Sequence, residues 1–283
     1  MVKLIKNAII IIAFLCQNLA IIVVTKYFAK KAIYPESTQK KLTLMGSASM
    51  QEVCDNLAIA FMKTHPAVEV IKSGTGSGEA ANAVANGVCQ IGDISRTLNN
   101  EENPSLFTQH VIAYDGIAIC TNIKNKVKNL TKNEIKKIFS GEIKDWGYFG
   151  GKPGKIVLVG RDFASGNRTT FEKNMDIINR CRYSVELDSN GKVKYKIQHE
   201  ENAIGYISFN AVDKSVNSVN INGVAPNYKN ILNTTYTLKH PLIQITKKDS
   251  FDEISNLWFN FVYSPKGKQI IEENGLLSVD KRI

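Results

Sequence analysis

Residues 157–172 read VLVGRDFASGNRTTFE and predict a strand, a short loop and the beginning of a helix. The β-branched apolar run before the first glycine is typical of a buried strand. Ser165 suits the N-cap of the helix, in which Phe171 and Met175 recur at helical spacing. The unpaired N–H groups of the first helical turn, the helix dipole and the guanidinium of Arg161 predict a seat for an oxyanion. The alternative is an ordinary capped helix whose arginine points into water.

Two other Gly/Ser loops repeat this pattern of strand, loop and helix. Residues 46–50, GSASM, follow a strand-like run, and Ser49 with Glu52 predicts a capping box at the next helix. Residues 73–79, SGTGSGE, follow a second strand-like run and precede the Ala-rich helix predicted at 80–86. Three such units in one chain predict that three helix N-termini converge on one small anion.

The order of these elements predicts the fold class. Strands and helices alternate along 41–97, which is typical of an α/β protein with a largely parallel sheet. Ligands of such sheets bind at the carboxyl ends of the strands, where each Gly/Ser loop lies. The apolar stretch 111–120 contains Asp115 and Gly116 and predicts a strand that crosses between two lobes. Residues 242–245 predict a strand that returns to the first lobe.

Three capping signals predict the beginnings of further helices. They are Thr131 with Glu134, Ser250 with Glu253, and Ser264 followed by Pro265. The run 203–209 predicts another strand, whereas the polar stretch 188–196 is assigned no helix or strand.

Composition and charge limit the classes of function. The chain has 283 residues, enough for one large domain or two ordinary ones, and 43% of them are hydrophobic, as in globular proteins. Of its 36 Lys and Arg residues, five fall in 1–32, which has no acidic residue; the rest of the chain has 31 against 26 Asp and Glu. This diffuse excess favours small anions and argues against nucleic acid, which requires a clustered basic face.

The N-terminal segment 1–32 is predicted to be a signal peptide or a membrane anchor. Lys3 and Lys6 precede a mostly apolar run at 8–24, which is long for a signal-peptide core and short for a full membrane span. Cys16 would suit a lipoprotein, but Leu15 precedes it where a small residue is expected. We therefore expect an exported, extracytoplasmic protein, secreted or membrane-anchored at the cell surface or in the periplasm. Cleavage and retention of the segment stay open.

The sequence favours a binding protein over an enzyme. Neither Ser77 nor Ser165 lies in a Gly-x-Ser-x-Gly motif, and no Walker-type Gly-Lys-Ser/Thr occurs. The four histidines are scattered and the exported cysteines are too widely spaced for a zinc pair of the Cys-x-x-Cys type, so we expect no metal and no cofactor. The cysteines are interpreted as small buried hydrophobes, although an exported compartment permits a disulfide. These residues are His65, His110, His199 and His240, and Cys54, Cys89, Cys120 and Cys181.

Six motifs in order make residues 42 to the C-terminus resemble the phosphate-binding protein of bacterial phosphate ABC transporters, in its shorter form. They are GSASM (46–50), SGTGSGEA (73–80), IGDISR (91–96), IFSGEIKDW (138–146), RD-x-x-SGNR-x-x-FE (161–172) and AIGYIS (203–208). The resemblance implies a two-lobed periplasmic-binding-protein fold of type II, in which each lobe is a mostly parallel sheet flanked by helices. It also implies two hinge crossings, with lobes at 41–115 plus 240–283 and at 116–239. The expected partners are inorganic phosphate and the permease subunits of an ABC transporter.

The resemblance also implies which residues bind the anion between the lobes. From the first lobe these would be Ser47, Ala48, Ser49, Ser77, Ser95 and Arg96. From the second lobe they would be Arg161, Ser165, Gly166 and Asn167.

Two positions depart from the pattern of the family. Longer members place an aspartate where Ser95 stands. That aspartate accepts the proton of hydrogen phosphate and so excludes sulfate, which has no proton. Ser95 can either donate or accept a hydrogen bond, so it does not impose the same selection. The family prefers threonine where Asn167 stands. The alternatives that stay open are therefore a binding lobe for another oxyanion, such as sulfate or molybdate, and a phosphate-sensing or adhesion protein.

Overall fold

The computed structural model describes residues 39–150, 152–249 and 252–279. The predictions for the segment 1–32, Cys16 and Ser250 lie outside these residues. None of the helices within the described ranges combines the length and the apolarity that crossing a membrane requires.

Alternating strands and helices build the first part of the chain, as predicted. The elements are β1 (Lys40–Gly46), α1 (Gln51–Thr64), β2 (Val68–Ser73), α2 (Ser77–Ala85), β3 (Ile91–Ile94) and β4 (Phe107–Asn122). The next are β5 (Asn129–Leu130), α3 (Lys132–Phe139), β6 (Val157–Arg161), α4 (Gly166–Asn174), β7 (Val185–Leu187), α5 (Asn190–His199) and β8 (Ala203–Ser208). The last are β9 (Val216–Ile221), α6 (Tyr228–Leu232), β10 (Lys239–Lys247), α7 (Glu253–Val262), α8 (Pro265–Glu273) and β11 (Leu277–Ser278).

The strands form a mixed sheet in the order β2-β1-β3-β10-β4-β8-β6-β7, with β9 and β11 also paired to β4. Pairing is parallel among β1, β2 and β3 and among β6, β7 and β8. It is antiparallel where β10 and β4 join these two groups. Each parallel group therefore presents the carboxyl ends of its strands at one edge, where ligands bind in such sheets.

The hydrophobic core divides the described chain into two halves. One pair of clusters is built from residues 42–113 and 242–276, with Trp258 and Phe61 fully buried. The other pair is built from residues 117–238 together with Leu277. We call these parts the first half and the second half. Each half buries its own apolar faces, as a separate domain does.

The chain passes between the halves twice, and the two passages lie side by side. Strand β4 is 16 residues long and pairs with β10 up to Gly116 and with β8 from Ile117 onward. In the returning passage, the carbonyl of Leu238 accepts a hydrogen bond of 2.8 Å from the backbone N–H of Ile117. Asp115 lies opposite His240 in this register, and burial lowers the pKa of the His240 ring to about 3. The strand predicted at 111–120 is confirmed as part of β4.

Among the described residues, local capping signals were right at three helices and wrong at one. Ser165, Ser264 and the Thr131–Glu134 box cap their helices as predicted. The capping box at Ser49 is wrong, because α1 begins at Gln51 with no side-chain cap. Helix α7 begins at Glu253, and the side chain of Asp252 caps it.

Two further boundaries differ from the prediction. Helix α2 begins at Ser77, so the serine lies inside the first turn of the helix rather than before it. The polar stretch 188–196 contains helix α5, which Ser189 caps and which buries Val193 and Ile197. All four described cysteines are free thiols, and only Cys181 is not fully buried. This agrees with their interpretation as small hydrophobes.

Candidate functional site

Four serines of the first half lie together where three parallel strands end, and we call them the serine cluster. Ser47 follows β1, Ser77 begins α2 after β2, and Ser95 follows β3; Ser49 lies two residues beyond Ser47. The hydroxyl of Ser47 donates to that of Ser95 at 3.0 Å, and the hydroxyls of Ser77 and Ser95 are 3.2 Å apart. Because β1, β2 and β3 are parallel neighbours, residues distant in sequence meet at one edge.

A glycine allows this close approach of backbone to backbone. Gly46 has a φ of +140°, and an added Cβ atom there would lie 2.2 Å from the carbonyl oxygen of Asp93. The next N–H, of Ser47, donates to the same carbonyl at 2.8 Å. Only glycine fits between the two strand ends, and it brings the Ser47 hydroxyl to Ser95.

The second half contributes the N-terminus of α4. The hydroxyl of Ser165 accepts from the N–H of Arg168 at 3.4 Å, which caps the helix. Gly166 and Asn167 follow, and the first N–H groups of a helix have no partner within the helix. Such N–H groups and the helix dipole favour negative charge at a helix N-terminus.

Arg161, at the end of β6, is held in place beneath this helix N-terminus. Only 2% of the residue is exposed, and burial lowers the pKa of its guanidinium. Nε donates to the carbonyl of Leu187 at 3.2 Å, Nη2 to the carbonyl of Asp188 at 2.8 Å and Nη1 to Oδ1 of Asn190 at 3.1 Å. A guanidinium has five N–H donors, so two are left to bind an anion in a fixed orientation.

Asn190 is a site residue that the sequence analysis missed. Its Oδ1 accepts from Nη1 of Arg161, from Nδ2 of Asn167 at 3.3 Å and from the N–H of Ser208 at 3.3 Å. Its Nδ2 donates to the hydroxyl of Ser49 in the first half at 3.4 Å. The spacing of Val193 and Ile197 after the capping Ser189 could have indicated helix α5, but the contacts themselves are long-range.

The site is connected to the passage between the halves. Nδ2 of Asn167 donates to the hydroxyl of Ser208 at 2.9 Å, and Ser208 in turn hydrogen-bonds the carboxylate of Asp115. The N–H of Gly116 also donates to this carboxylate, at 2.7 Å. Burial raises the pKa of Asp115 to about 7. A polar chain therefore joins the helix N-terminus to the strand that crosses between the halves.

The two halves meet at these groups. A Cβ atom added to Gly166 would lie 2.3 Å from Oγ of Ser95 and 2.7 Å from Oγ of Ser77. The N–H of Gly78 donates to the carbonyl of Ala164 at 3.2 Å. The serine cluster and the N-terminus of α4 are thus packed directly against each other, one from each half.

Comparison with known proteins identifies the family. The family model of the PBP superfamily domain matches residues 34–266. The phosphate-binding protein PstS of Bacillus subtilis is 34% identical over 206 residues, which cover 72% of this chain and 69% of the relative. The chain belongs to the phosphate-binding protein family of the PBP superfamily. The fold class predicted from the sequence is thereby confirmed.

Solved structures of similar proteins agree with this membership of the phosphate-binding protein family. A protein from Clostridium perfringens, described as a phosphate ABC transporter substrate-binding protein with bound phosphate, is 34% identical with a TM-score of 0.82. The match covers 85% of this chain and all of that one. An ABC-type phosphate transport receptor from Vibrio cholerae is 31% identical with a TM-score of 0.74, covering 84% of this chain and all of the receptor.

Not every residue expected at the site of this family member joins the cluster. The guanidinium of Arg96 donates to both carboxylate oxygens of Glu102, at 2.6 and 2.7 Å, and to the carbonyl of Thr97. Its charge is therefore neutralised within the first half. Ala48 is half-buried between Ser47 and Ser49 and can offer only backbone groups. Within the described residues, no group of three His, Cys, Asp or Glu side chains is arranged to hold a metal ion.

Proposed function

We propose that this protein binds inorganic phosphate outside the cytoplasm and delivers it to the permease of an ABC transporter. The observation that carries the proposal is the meeting of the serine cluster with the N-terminus of α4 and the tethered Arg161. These groups supply hydroxyl, N–H and guanidinium donors from both halves, which suits a tetrahedral oxyanion. The names of the relatives supply the ligand and the transport system. The protein is not an enzyme in this proposal.

The proposed mechanism is closure of two lobes about the anion. We assign residues 41–115 plus 240–283 to one lobe and 116–239 to the other, with the side-by-side passages at Gly116 and Leu238 as the hinge. Each lobe offers only part of the donor set, so the closed form is favoured when the anion bridges both. The permease would then distinguish the closed, loaded protein from the open one.

The proposed contacts are the hydroxyls of the serine cluster, the backbone at Ala48, the free N–H groups of Arg161 and the helix N-terminus formed by Ser165, Gly166 and Asn167. We leave Arg96 out, because Glu102 occupies its guanidinium. Micromolar affinity corresponds to about −8 kcal/mol. Several charge-assisted hydrogen bonds of about 1.5–3 kcal/mol each can supply this after the cost of closing.

Export and anchoring belong to the proposal as well. The apolar N-terminal segment would act as a signal peptide or as a retained anchor, and membrane association would come through that segment. Mass spectrometry of the mature protein from cells distinguishes the two, since cleavage after residue 32 would remove about 3.5 kDa of the 31.4 kDa chain and retention would remove none.

Calorimetric titration with phosphate, sulfate and molybdate at two pH values tests the proposed ligand. We expect micromolar or tighter binding of phosphate with one site per chain. Tight binding of sulfate or molybdate but not of phosphate would show that the ligand is another oxyanion. Absence of binding to all three would contradict the proposal. Phosphate binding without phosphate uptake in cells would favour a sensing or adhesion protein.

A further inference from the structure

Four side chains of the second half form a ring of hydrogen bonds that begins and ends at the main chain of Arg161. The backbone N–H of Arg161 donates to the hydroxyl of Tyr206 at 3.3 Å, and its carbonyl accepts from Nη1 of Arg168 at 3.1 Å. The hydroxyls of Tyr206 and Tyr183 are 3.0 Å apart. Oε1 of Glu172 accepts from the hydroxyl of Tyr183 at 3.1 Å and from Nε of Arg168 at 2.8 Å, which closes the ring. We call these four side chains, of Arg168, Glu172, Tyr183 and Tyr206, the Arg161 ring.

The hydrogen bonds of the Arg161 ring have one possible direction. Backbone N–H and guanidinium N–H groups can only donate, so Tyr206 accepts from Arg161 and Glu172 accepts from Arg168. The hydroxyl of Tyr183 donates to Glu172, so its oxygen accepts from the hydroxyl of Tyr206. Burial raises the pKa of both tyrosines, so both keep the proton that this direction requires. The ring therefore has a single arrangement.

The Arg161 ring supports the residue from the side opposite to its guanidinium contacts. Arg161 ends β6, and Arg168 lies beyond the loop 162–165 in the first turn of α4. The bond from Arg168 to the carbonyl of Arg161 therefore spans that loop. The guanidinium is held separately, by the carbonyls of Leu187 and Asp188 and by Asn190. Main chain and side chain are both fixed, which sets the direction of the N–H groups that remain for an anion.

Stability alone does not account for this ring. The side chains of Arg168 and Glu172 are only 14% and 4% exposed. A buried ion pair loses its hydration, and apolar residues of similar size often give equal or greater stability. The hydroxyls of Tyr183 and Tyr206 also need partners in an apolar core, where the ring of Tyr206 stacks on that of Phe171. An arrangement that adds little to stability but fixes one residue indicates a positioning role.

We propose that the Arg161 ring positions Arg161 for the anion, with Arg168 and Tyr206 as positioning residues that act through Arg161. The inference rests on the proposed function and deepens it, because it names residues outside the contact set on which affinity depends. Loss of either bond to the main chain of Arg161 lets that main chain shift. A planar guanidinium donates along fixed directions, so a shift weakens its bonds to the anion.

Calorimetric titration of the full chain with phosphate tests the inference in two variants that break opposite sides of the ring. Arg168→Lys keeps the charge beside Glu172 but has no second nitrogen for the carbonyl of Arg161. Tyr206→Phe removes the acceptor for the N–H of Arg161 and keeps the stacking on Phe171. We expect each variant to bind phosphate about 3- to 10-fold more weakly, which corresponds to the loss of one hydrogen bond.

The same two substitutions in the Arg161→Lys background distinguish a positioning role from a structural one. A lysine presents a point charge on a flexible stem, so its contact with an anion depends little on the exact place of the main chain. In that background each substitution should change the affinity by less than about twofold. Substitutions that act independently of Arg161 would give the same loss in both backgrounds.

The matched control is Tyr263→Phe, which removes a hydroxyl that donates to the carbonyl of Val111 in the first half at 2.9 Å. It should keep the wild-type affinity within about twofold. Circular dichroism shows whether each variant is folded, and either folded ring variant decides the outcome. Wild-type affinity in a folded ring variant, or equal losses in both backgrounds, would overturn the inference while leaving phosphate binding in place. No binding of phosphate to the wild-type protein would instead contradict the proposed function.

Discussion

Gly166→Ala should separate closure of the two halves from folding of each half. The added methyl group would lie 2.3 Å from Oγ of Ser95 and 2.7 Å from Oγ of Ser77, and 3.1 Å from the carbonyl carbon of Ser95. Carbon and oxygen atoms that are not hydrogen-bonded need more than 3 Å. Either the halves part, or the serine hydroxyls rotate and break the serine cluster. Both responses remove donors from the anion.

The size of the effect follows from these contacts. Inserting a methyl group into a packed interface costs about 1–3 kcal/mol, so the affinity for phosphate should fall about 5- to 150-fold. In the proposed mechanism the ligand-free protein opens, which relieves these contacts, and Gly166 has no positive φ that alanine would find strained. The melting temperature of the ligand-free variant should therefore stay about equal to that of the wild type. Loss of affinity without loss of stability is the expected signature.

Gly78→Ala is the matched control. It places the same substitution in the first turn of α2, on the facing side of the same interface. The added Cβ atom would be 3.7 and 3.8 Å from Cα and O of Ala164, which is ordinary contact. Its affinity in calorimetry should be within about twofold of the wild type. Wild-type affinity in Gly166→Ala would refute the closed arrangement, and equal losses in both variants would refute the steric explanation.

Three further predictions concern the charged and polar groups. Arg161→Lys keeps the charge but loses the planar guanidinium. Calorimetry should report about 10- to 150-fold weaker phosphate binding, which corresponds to the loss of one charge-assisted hydrogen bond. Unchanged affinity would show that Arg161 does not bind phosphate. Asn190→Ala removes the acceptor that holds the guanidinium of Arg161 and the hydrogen bond to Ser49 in the first half. It should weaken phosphate binding in calorimetry about tenfold. A lower melting temperature with unchanged affinity would show that Asn190 has only a structural role. Burial raises the pKa of Asp93 to about 7, above the value of about 3.9 in an unfolded chain. The folded state then binds more protons, and the contribution of Asp93 to stability falls as the pH rises from about 4 to 7. Asp93→Asn removes the titrating carboxyl but keeps an acceptor for Gln244. In urea unfolding, the free energy of unfolding of the variant minus that of the wild type should be more favourable at pH 8 than at pH 5. An equal difference at both pH values would contradict the raised pKa of Asp93.

The sequence by itself determined the local elements and the chemistry of the loops. Apolar periodicity predicted the successive strands of the first half, because the spacing of apolar residues along a strand or helix shows which of its sides is buried. Ser165 and Thr131 were identified as caps, since a cap bonds to an N–H only a few residues away. The order of strand, Gly/Ser loop and helix predicted an anion site at the carboxyl ends of the strands. These inferences depend on contacts that are short in sequence.

Tertiary structure alone decided which of the predicted groups meet. Asn190 joins Arg161, Asn167 and Ser49 although it lies between 23 and 141 residues away from them, and no local pattern encodes those contacts. Arg96 differs, because its carboxylate partner Glu102 is only six residues further on; the sequence analysis missed the pair because the chain between them must first fold into a turn that brings the two side chains together. Sequence patterns report what a residue can donate or accept. Only the packing of the two halves fixes which of these groups come together.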